Sequence, residues 1–299
     1  MKETSLKIDD SQLSVINIVR STTDKRFGFS IETKEDELFF HLCNGVYQCG
    51  VKARENQRLI HRAFKEDGTI LTETDLAVSE ALVSEIKKLY PSCNVSTEES
   101  KEGDFDPEAP YTFILDPIDG TDAYSQGFPF WCVGLGILNK DRIPCGAIIY
   151  APRFGIGTED LFLCSKIDDN NIYLNGEVLE TLVHYEVPRQ VVVGANAHEI
   201  MKFDARNMKV RALGSSIIHM ISPLVFSNID SCVNNLCYVW DIASSHALLL
   251  KKGLTVMYCD GSPVVYNDSL LIKRETYKLP IIVGTKAQAQ YLKDHITPL

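Results

Sequence analysis

Asp116 and Asp119 stand three positions apart in the segment Asp116-Pro117-Ile118-Asp119-Gly120-Thr121, directly after the apolar run Thr112-Phe113-Ile114-Leu115. An apolar run that stops at Asp-Pro reads as a buried strand delivering Asp116 to its C-terminal edge. Pro117 fixes φ and stiffens the exit. Gly120 lets the chain come close to a ligand, and Gly120 and Thr121 can present backbone N–H groups at a helix start. Two carboxylates followed by anion-receptive amides make a small site for a metal ion and a phosphate. A donor set made only of oxygen suits Mg²⁺ better than Zn²⁺. Three further acidic positions belong with these: Glu98-Glu99 within Ser96-Thr97-Glu98-Glu99-Ser100, Asp241 within Val239-Trp240-Asp241-Ile242-Ala243, and Asp75 at the start of an amphipathic segment. Singly each has an ordinary use. Asp-Pro and Asp-Gly make turns, Glu-Glu sits in a solvated loop, and Asp241 or Asp75 caps a helix. Together in one chain they point to a site for a metal ion and a phosphate.

Such a constellation needs elements to carry it, and the hydrophobic pattern supplies them. Residues 36–64 mix apolar and charged side chains at helical spacing, and Lys65-Glu66-Asp67-Gly68-Thr69 reads as a loop. Residues 76–90 form an amphipathic helix with Leu82, Ile86 and Leu89 on one face; Thr74 or Asp75 would cap it and Pro91 stops it. Residues 131–138 and 145–150 read as two strands joined by a hairpin at 139–142. Further strands are expected at 161–164, 191–194 and, weakly, 230–233, with helices after Gly214 and after Trp240 and a turn at Asn175-Gly176. A mild break in composition near 152–158 divides the chain into two lobes of one catalytic unit. Residues 1–155 would carry most of the metal ligands, and 156–299 would supply Asp241 and substrate contacts.

The bulk properties set the frame for this chemistry. A chain of 299 residues with 45% hydrophobic and 23% charged side chains has the balance of an ordinary globular protein. The formal net charge is −10 and no Lys/Arg block stands out, which argues against nucleic acid or an anionic membrane as the main partner. An acidic protein acting on an anion requires a local inversion of sign, and bound divalent cations provide it. The nine cysteines include no CxxC pair and are odd in number, and several sit in apolar runs, as reduced thiols of a cytoplasmic protein would. The first residues lack the apolar stretch of a signal peptide, and no apolar run approaches the roughly 20 residues of a membrane span.

Several stretches together resemble the inositol monophosphatase family, within the lithium-sensitive Mg²⁺-dependent phosphatase superfamily. Leu71-Thr72-Glu73-Thr74-Asp75-Leu76-Ala77 is similar to the family's Val-Thr-x-x-Asp segment, and Glu98-Glu99-Ser100 to its Gly-Glu-Glu-Ser loop, with Thr97 in place of the glycine. Asp116 to Thr121 matches the six-residue signature. Leu213-Gly214-Ser215-Ser216 and Trp240-Asp241-Ile242-Ala243 match two C-terminal motifs. The resemblance implies an α+β fold, a layered α-β-α-β-α sandwich of the sugar-phosphatase type, and a homodimer. It implies that Glu98, Asp116 and the Ile118 carbonyl bind one Mg²⁺, that Asp116, Asp119 and Asp241 bind a second, and that Glu98 shares a third. Thr121 and Asp75 would orient the attacking water, with Glu98 completing the catalytic set. Asp119, Gly120, Thr121, Gly214, Ser215, Ser216 and Asn234 would contact the substrate. The family's inositol enzymes carry a Glu seven residues before the Trp-Asp aspartate; Asn234 holds that position here and keeps hydrogen-bonding capacity without the charge. The Lys251-Lys252-Gly253-Leu254 stretch departs from the family's Glu-Ala-Gly-Gly and alters a helix end.

The expected activity is therefore hydrolysis of a small polyol or sugar monophosphate of the inositol 1-phosphate type. The same motifs also serve a 3′(2′),5′-bisphosphate nucleotidase, a fructose 1,6-bisphosphatase or a histidinol phosphatase. A non-catalytic metal- or phosphate-binding protein is the reading from another class, and the full set of competent side chains stands against it. Other residues invite weighing. His246 falls inside a helix and reads as packed; His198 and His219 lack zinc-ligand spacing. Trp131 and residues 128–130 read as core or pocket rim, and Arg153 and Lys65 as surface cations that could meet an anionic substrate.

Overall fold

The computed structural model describes residues 25–59, 63–64, 70–99, 105–154, 159–182 and 185–299. Lys65, with the loop expected at 65–69, and Ser100 lie outside the described residues.

Helix α1 (Lys34–Asn56) opens with a capping box at Thr33 and Asp36, and a short strand pair, β1 (Ala63–Phe64) and β2 (Ile70–Leu71), leads to α2 (Glu73–Leu89). A seven-stranded sheet follows: β3 (Asn94–Thr97), β4 (Tyr111–Asp119), then helix α3 (Thr121–Ser125), β5 (Cys132–Asn139), β6 (Pro144–Ala151), β7 (Leu161–Ser165), β8 (Tyr173–Leu174) and β9 (Glu177–Val178). The strands lie in chain order; β3 and β4 run parallel and every later neighbour runs antiparallel. Asn175 and Gly176 both have positive φ between β8 and β9, the two-residue turn expected there. The first sheet runs on to Val178. The composition break near 152–158 thus falls inside this sheet rather than between sheets; residues 155–158 lie outside the description.

The second half builds β10 (Gln190–Val193), α4 (Ala197–Ile200), β11 (Met201–Phe203), β12 (Lys209–Arg211), α5 (Ser216–Val225), β13 (Ser231–Asn234), α6 (Ala243–Lys251), β14 (Thr255–Tyr258), α7 (Asp268–Leu271), β15 (Ile281–Gly284), α8 (Lys286–Lys293) and β16 (Ile296–Pro298). Five of these strands form a second sheet in the order β12-β10-β13-β15-β14, and β11 pairs with β16.

The period-two alternation of the strands sorts their side chains onto two faces. Phe113 and Leu115 of β4, with Val133, Leu135 and Ile137 of β5, meet Leu42 and Val46 of α1 and Leu82 and Ile86 of α2. Ile114, Cys132 and Ile149 face the other way, onto Ile217 and Ile221 of α5 and Ala247 and Leu248 of α6. These two helices are buried on nearly all sides, because the second sheet covers them as well. Beyond it, Val191, Val193 and Ile282 pack on Ala289 and Leu292 of α8. The order of layers is helix, sheet, helix, sheet, helix, an α+β sandwich. Among the described residues no helix is long and apolar enough to cross a membrane.

Local differences from the sequence reading have plain causes. The N-cap of α2 is Thr72, not Thr74 or Asp75; Asp75 is the third helical residue and its carboxylate closes a capping box on the Thr72 amide. Asp241 does not cap α6 either, since the cap residue is Ile242, without a side-chain bond. Strand β4 does not stop at Leu115. It continues to Asp119 with an irregularity between Asp116 and Asp119, opposite Gly134 and Cys132 of β5. Pro117 is tolerated there because a bulge releases it from the ladder.

Candidate metal centre

The bulge at the end of β4 places two carboxylates at one spot. Asp116 is 1% exposed and Asp119 5%. Asp241 reaches the same spot from the connection between β13 and α6. Asp116, Asp119 and Asp241 each offer an oxygen lying within 4.8 Å of the others. Glu98 follows β3, where its amide donates to Leu115 O at 3.2 Å and prolongs the parallel pairing by one residue. Thr97, which replaces the glycine of the motif that Glu98-Glu99-Ser100 resembles, points its hydroxyl at Ser79 on α2, 3.1 Å away, and so anchors the Glu98 loop.

The two bulge carboxylates are held differently. Asp119 accepts a bond from the Ser215 hydroxyl, from Ile217 N at 2.6 Å and from Ser216 N at 3.2 Å. Those amides open α5, whose N-cap is Ser215 and whose preceding Gly214 sits at φ +76°. Burial pushes the Asp119 carboxyl up to about 6, with these donors pulling it back. Among the described residues Asp116 has no comparable donors, and its Oδ1 is buried without a hydrogen-bond partner. Burial drives its pKa far above the ordinary carboxylate range, and the charges of Glu98, Asp119, Asp241 and Asp75 push it further. A buried carboxylate without donors stays ionised only beside a cation. An orphaned oxygen facing an all-oxygen cluster fits a hard divalent ion.

Asp75 is raised as well, by burial first, against the bonds from Thr72. Its second oxygen lies 3.2 Å from Thr121 Oγ1, which is also 2.8 Å from Ile118 O. Gly120 takes φ +91°, and a Cβ there would come within 2.7 Å of Phe130 O, so only glycine fits this turn. The Ile118 side chain is fully buried, and its carbonyl oxygen lies within reach of the Thr121 hydroxyl with a second lone pair left for an ion. Asp241 Oδ2 accepts from Tyr238 N at 2.6 Å, which fixes its direction.

Asn234 ends β13, 1% exposed, with Nδ2 unpartnered and Oδ1 3.4 Å from His219 Nδ1. Leu213 N donates to His219 Nε2 at 2.9 Å, and burial holds the ring down to about 4. The imidazole is therefore neutral near pH 7, with its proton on Nδ1 facing the Asn234 oxygen. Neither Thr72 nor His219 was singled out for the site by sequence. The signal for Thr72 was its spacing of three from Asp75; none pointed to His219.

Other candidates fall elsewhere. His246 is buried, 3.1 Å from the Tyr266 hydroxyl. Arg153 is exposed and bonds Gln57 Oε1 at 2.8 Å. Trp131 is core, Phe128 is exposed and Phe130 half-buried. All nine cysteines are free.

Comparisons with known proteins agree with this geometry. The model of the inositol monophosphatase family matches residues 36–290. Inositol monophosphatase 1 of Solanum lycopersicum is 30% identical over 230 residues, covering 70% of this chain and 78% of that protein. The Dictyostelium discoideum inositol monophosphatase is 28% identical over 252 residues, 74% of this chain and 89% of that protein. A crystal structure of staphylococcal inositol monophosphatase-1, soaked in lithium chloride, superposes with a TM-score of 0.73 at 15% identity over 88% of this chain and 96% of that one, a likeness of fold. With a match across most of its length, the chain belongs to the inositol monophosphatase family and is a phosphoric monoester hydrolase of that kind.

Proposed function

We propose that the protein is a Mg²⁺-dependent phosphomonoesterase that hydrolyses a small polyol or sugar monophosphate of the inositol 1-phosphate type by attack of an activated water. The observation that carries this reading is the cluster of Asp116, Asp119 and Asp241, with ligand oxygens within 4.8 Å of one another and a buried Asp116 oxygen left without a partner. Glu98, Asp116 and the Ile118 carbonyl would hold one ion, Asp116, Asp119 and Asp241 a second, and Glu98 a share of a third. When bound, such ions offset the phosphate charge, acidify a water and stabilise the leaving oxygen.

The remaining work falls to the chain itself. Asp75, braced by Thr72, accepts a proton through the Thr121 hydroxyl and orients the attacking water. The Gly120 and Thr121 amides at the start of α3 donate to phosphate oxygens. Asp119 is kept aimed by Ser215, Ser216 and Ile217. Asn234 offers its free amide hydrogens to a substrate oxygen beyond the phosphate. We further read the chain as two lobes forming one unit and assembling as a cytoplasmic homodimer, with Li⁺ as an inhibitor.

Asn234 favours a second reading. A neutral amide where a carboxylate would repel a second phosphate suits a 3′(2′),5′-bisphosphate nucleotidase. A panel of phosphate esters assayed with Mg²⁺ separates the two. Faster phosphate release from inositol 1-phosphate or a sugar monophosphate than from adenosine 3′,5′-bisphosphate supports the first, and the reverse order replaces it with the second.

A further inference from the structure

Arg274 lies in the loop after α7, far in sequence from every acidic residue of the centre. Its backbone sits at φ +56°, a left-handed conformation that residues with a side chain adopt rarely. Backbone bonds hold the loop in place: Glu275 N donates to Ser269 O at 2.9 Å, and Tyr277 N donates to Cys237 O at 2.8 Å. The second bond ties it to the connection that carries Asp241.

From this base the guanidinium reaches two places at once. Its carbon lies 4.5 Å from the centre of the Trp240 ring, and Nη2 donates to the carbonyl oxygen of Glu98 at 3.0 Å. Trp240 is itself stacked on Tyr238, with centroids 4.5 Å apart and planes within 9°. Tyr238 in turn supplies the amide that fixes the Asp241 carboxylate. Glu98 leaves the first sheet and Asp241 leaves the second, so one side chain bridges the loop that carries Glu98 and the loop that carries Asp241. A planar guanidinium can lie on an indole and donate in its own plane together; an ammonium cannot match both geometries.

We propose that Arg274 is a positioning residue for the metal centre: through Trp240 and the Glu98 carbonyl it holds the Glu98 and Asp241 loops at the separation a divalent cation needs, without itself touching the ion. This rests on the Mg²⁺ reading above. A direct contact with the substrate anion is the competing role, because Arg274 also borders a groove shared with Thr97 and Glu99.

Calorimetric titration of the whole protein with Mg²⁺ alone, without substrate, tests the proposal in wild type, Arg274→Ala and Arg274→Lys. The alanine variant is expected to bind Mg²⁺ about tenfold more weakly, the loss usual when a group supporting a ligand is removed. The lysine variant, which keeps the stem and charge, is expected to recover less than half of that loss. The substrate KM at saturating Mg²⁺ is expected to change less than about twofold in both. Wild-type Mg²⁺ affinity in Arg274→Ala overturns the role, as does a raised KM with unchanged metal binding. If the alanine variant does not fold, wild-type affinity in Arg274→Lys overturns it equally. A wild-type protein that binds no Mg²⁺ sinks the metal reading itself, a separate outcome.

Discussion

Asp116 and Asp119 sit on one bulge and are both buried, yet their surroundings differ. Asp119 is met by a hydroxyl and two helix-opening amides, whereas Asp116 faces mainly other carboxylates. That division follows from Ser215, whose hydroxyl donates to Asp119 while its oxygen accepts from Ile218 N at 3.1 Å to cap α5. Ser215→Ala removes both bonds. It is expected to cost about 1–2 kcal/mol in urea unfolding, the usual range for a lost N-cap. It is also expected to weaken Mg²⁺ half-saturation, because Asp119 loses one of the donors that aim it. Unchanged stability and unchanged metal dependence together would remove Ser215 from this account. Part of this scale was legible in sequence: Asp116, Asp119 and Asp241 were picked out and come together, whereas Ser215, picked out as a substrate contact, bonds to Asp119. Arg274 was not legible, because its partners lie 34 positions away at Trp240 and 176 at Glu98, and no local pattern encodes such a bridge.

At the scale of elements, the site depends on how closely α5 and α6 approach β5. A Cβ at Gly136 would lie 2.6 Å from the Ala243 carbonyl carbon and 2.7 Å from Ser244 N, backbone that cannot swing aside. At Gly134 the obstacle would be the Ile217 side chain, at 2.3 Å. These two glycines seat both helices on the sheet, and Ala243 is two residues from Asp241. Gly136→Ala is expected to destabilise the fold by about 1–3 kcal/mol, the range for overpacking a tight contact. It should also raise the Mg²⁺ requirement, since α6 must move with Asp241 near its first turn. A calorimetric melt with and without Mg²⁺ checks both; a variant as stable as wild type would show that the helix has room. The continuous apolar runs of β4, β5 and β6 could be read in advance because both faces of the sheet are covered, and the helix at 76–90 because it buries one periodic face. The continuation of β4 through Pro117 could not, since Asp-Pro reads as a turn and only pairing with β5 reveals a bulge.

Across the whole molecule, a chain of net charge −10 gathers two buried carboxylates, Asp116 and Asp119, and the half-buried Asp241 where two sheets and their intervening helices meet. Burial raises Asp116, Asp119 and Asp75, and the neighbouring carboxylates push Asp116 further, so the cluster is unfavourable while ionised and alone. Packing of the layers holds it together, and divalent cations would convert that strain into affinity for a phosphate dianion. The layered fold was within reach of the motifs; the frontier between the sheets was not, because β7 to β9 lie past the composition break and still join the first sheet. The most direct test is phosphate release from a monoester panel by wild type and Asp116→Asn, each with Mg²⁺ and after chelation. Wild type is expected to turn over only with Mg²⁺, and Asp116→Asn to lose at least about 10²–10³-fold of kcat while its circular dichroism is unchanged. Turnover that survives chelation, or near-normal turnover in Asp116→Asn, would contradict a metal centre built on Asp116.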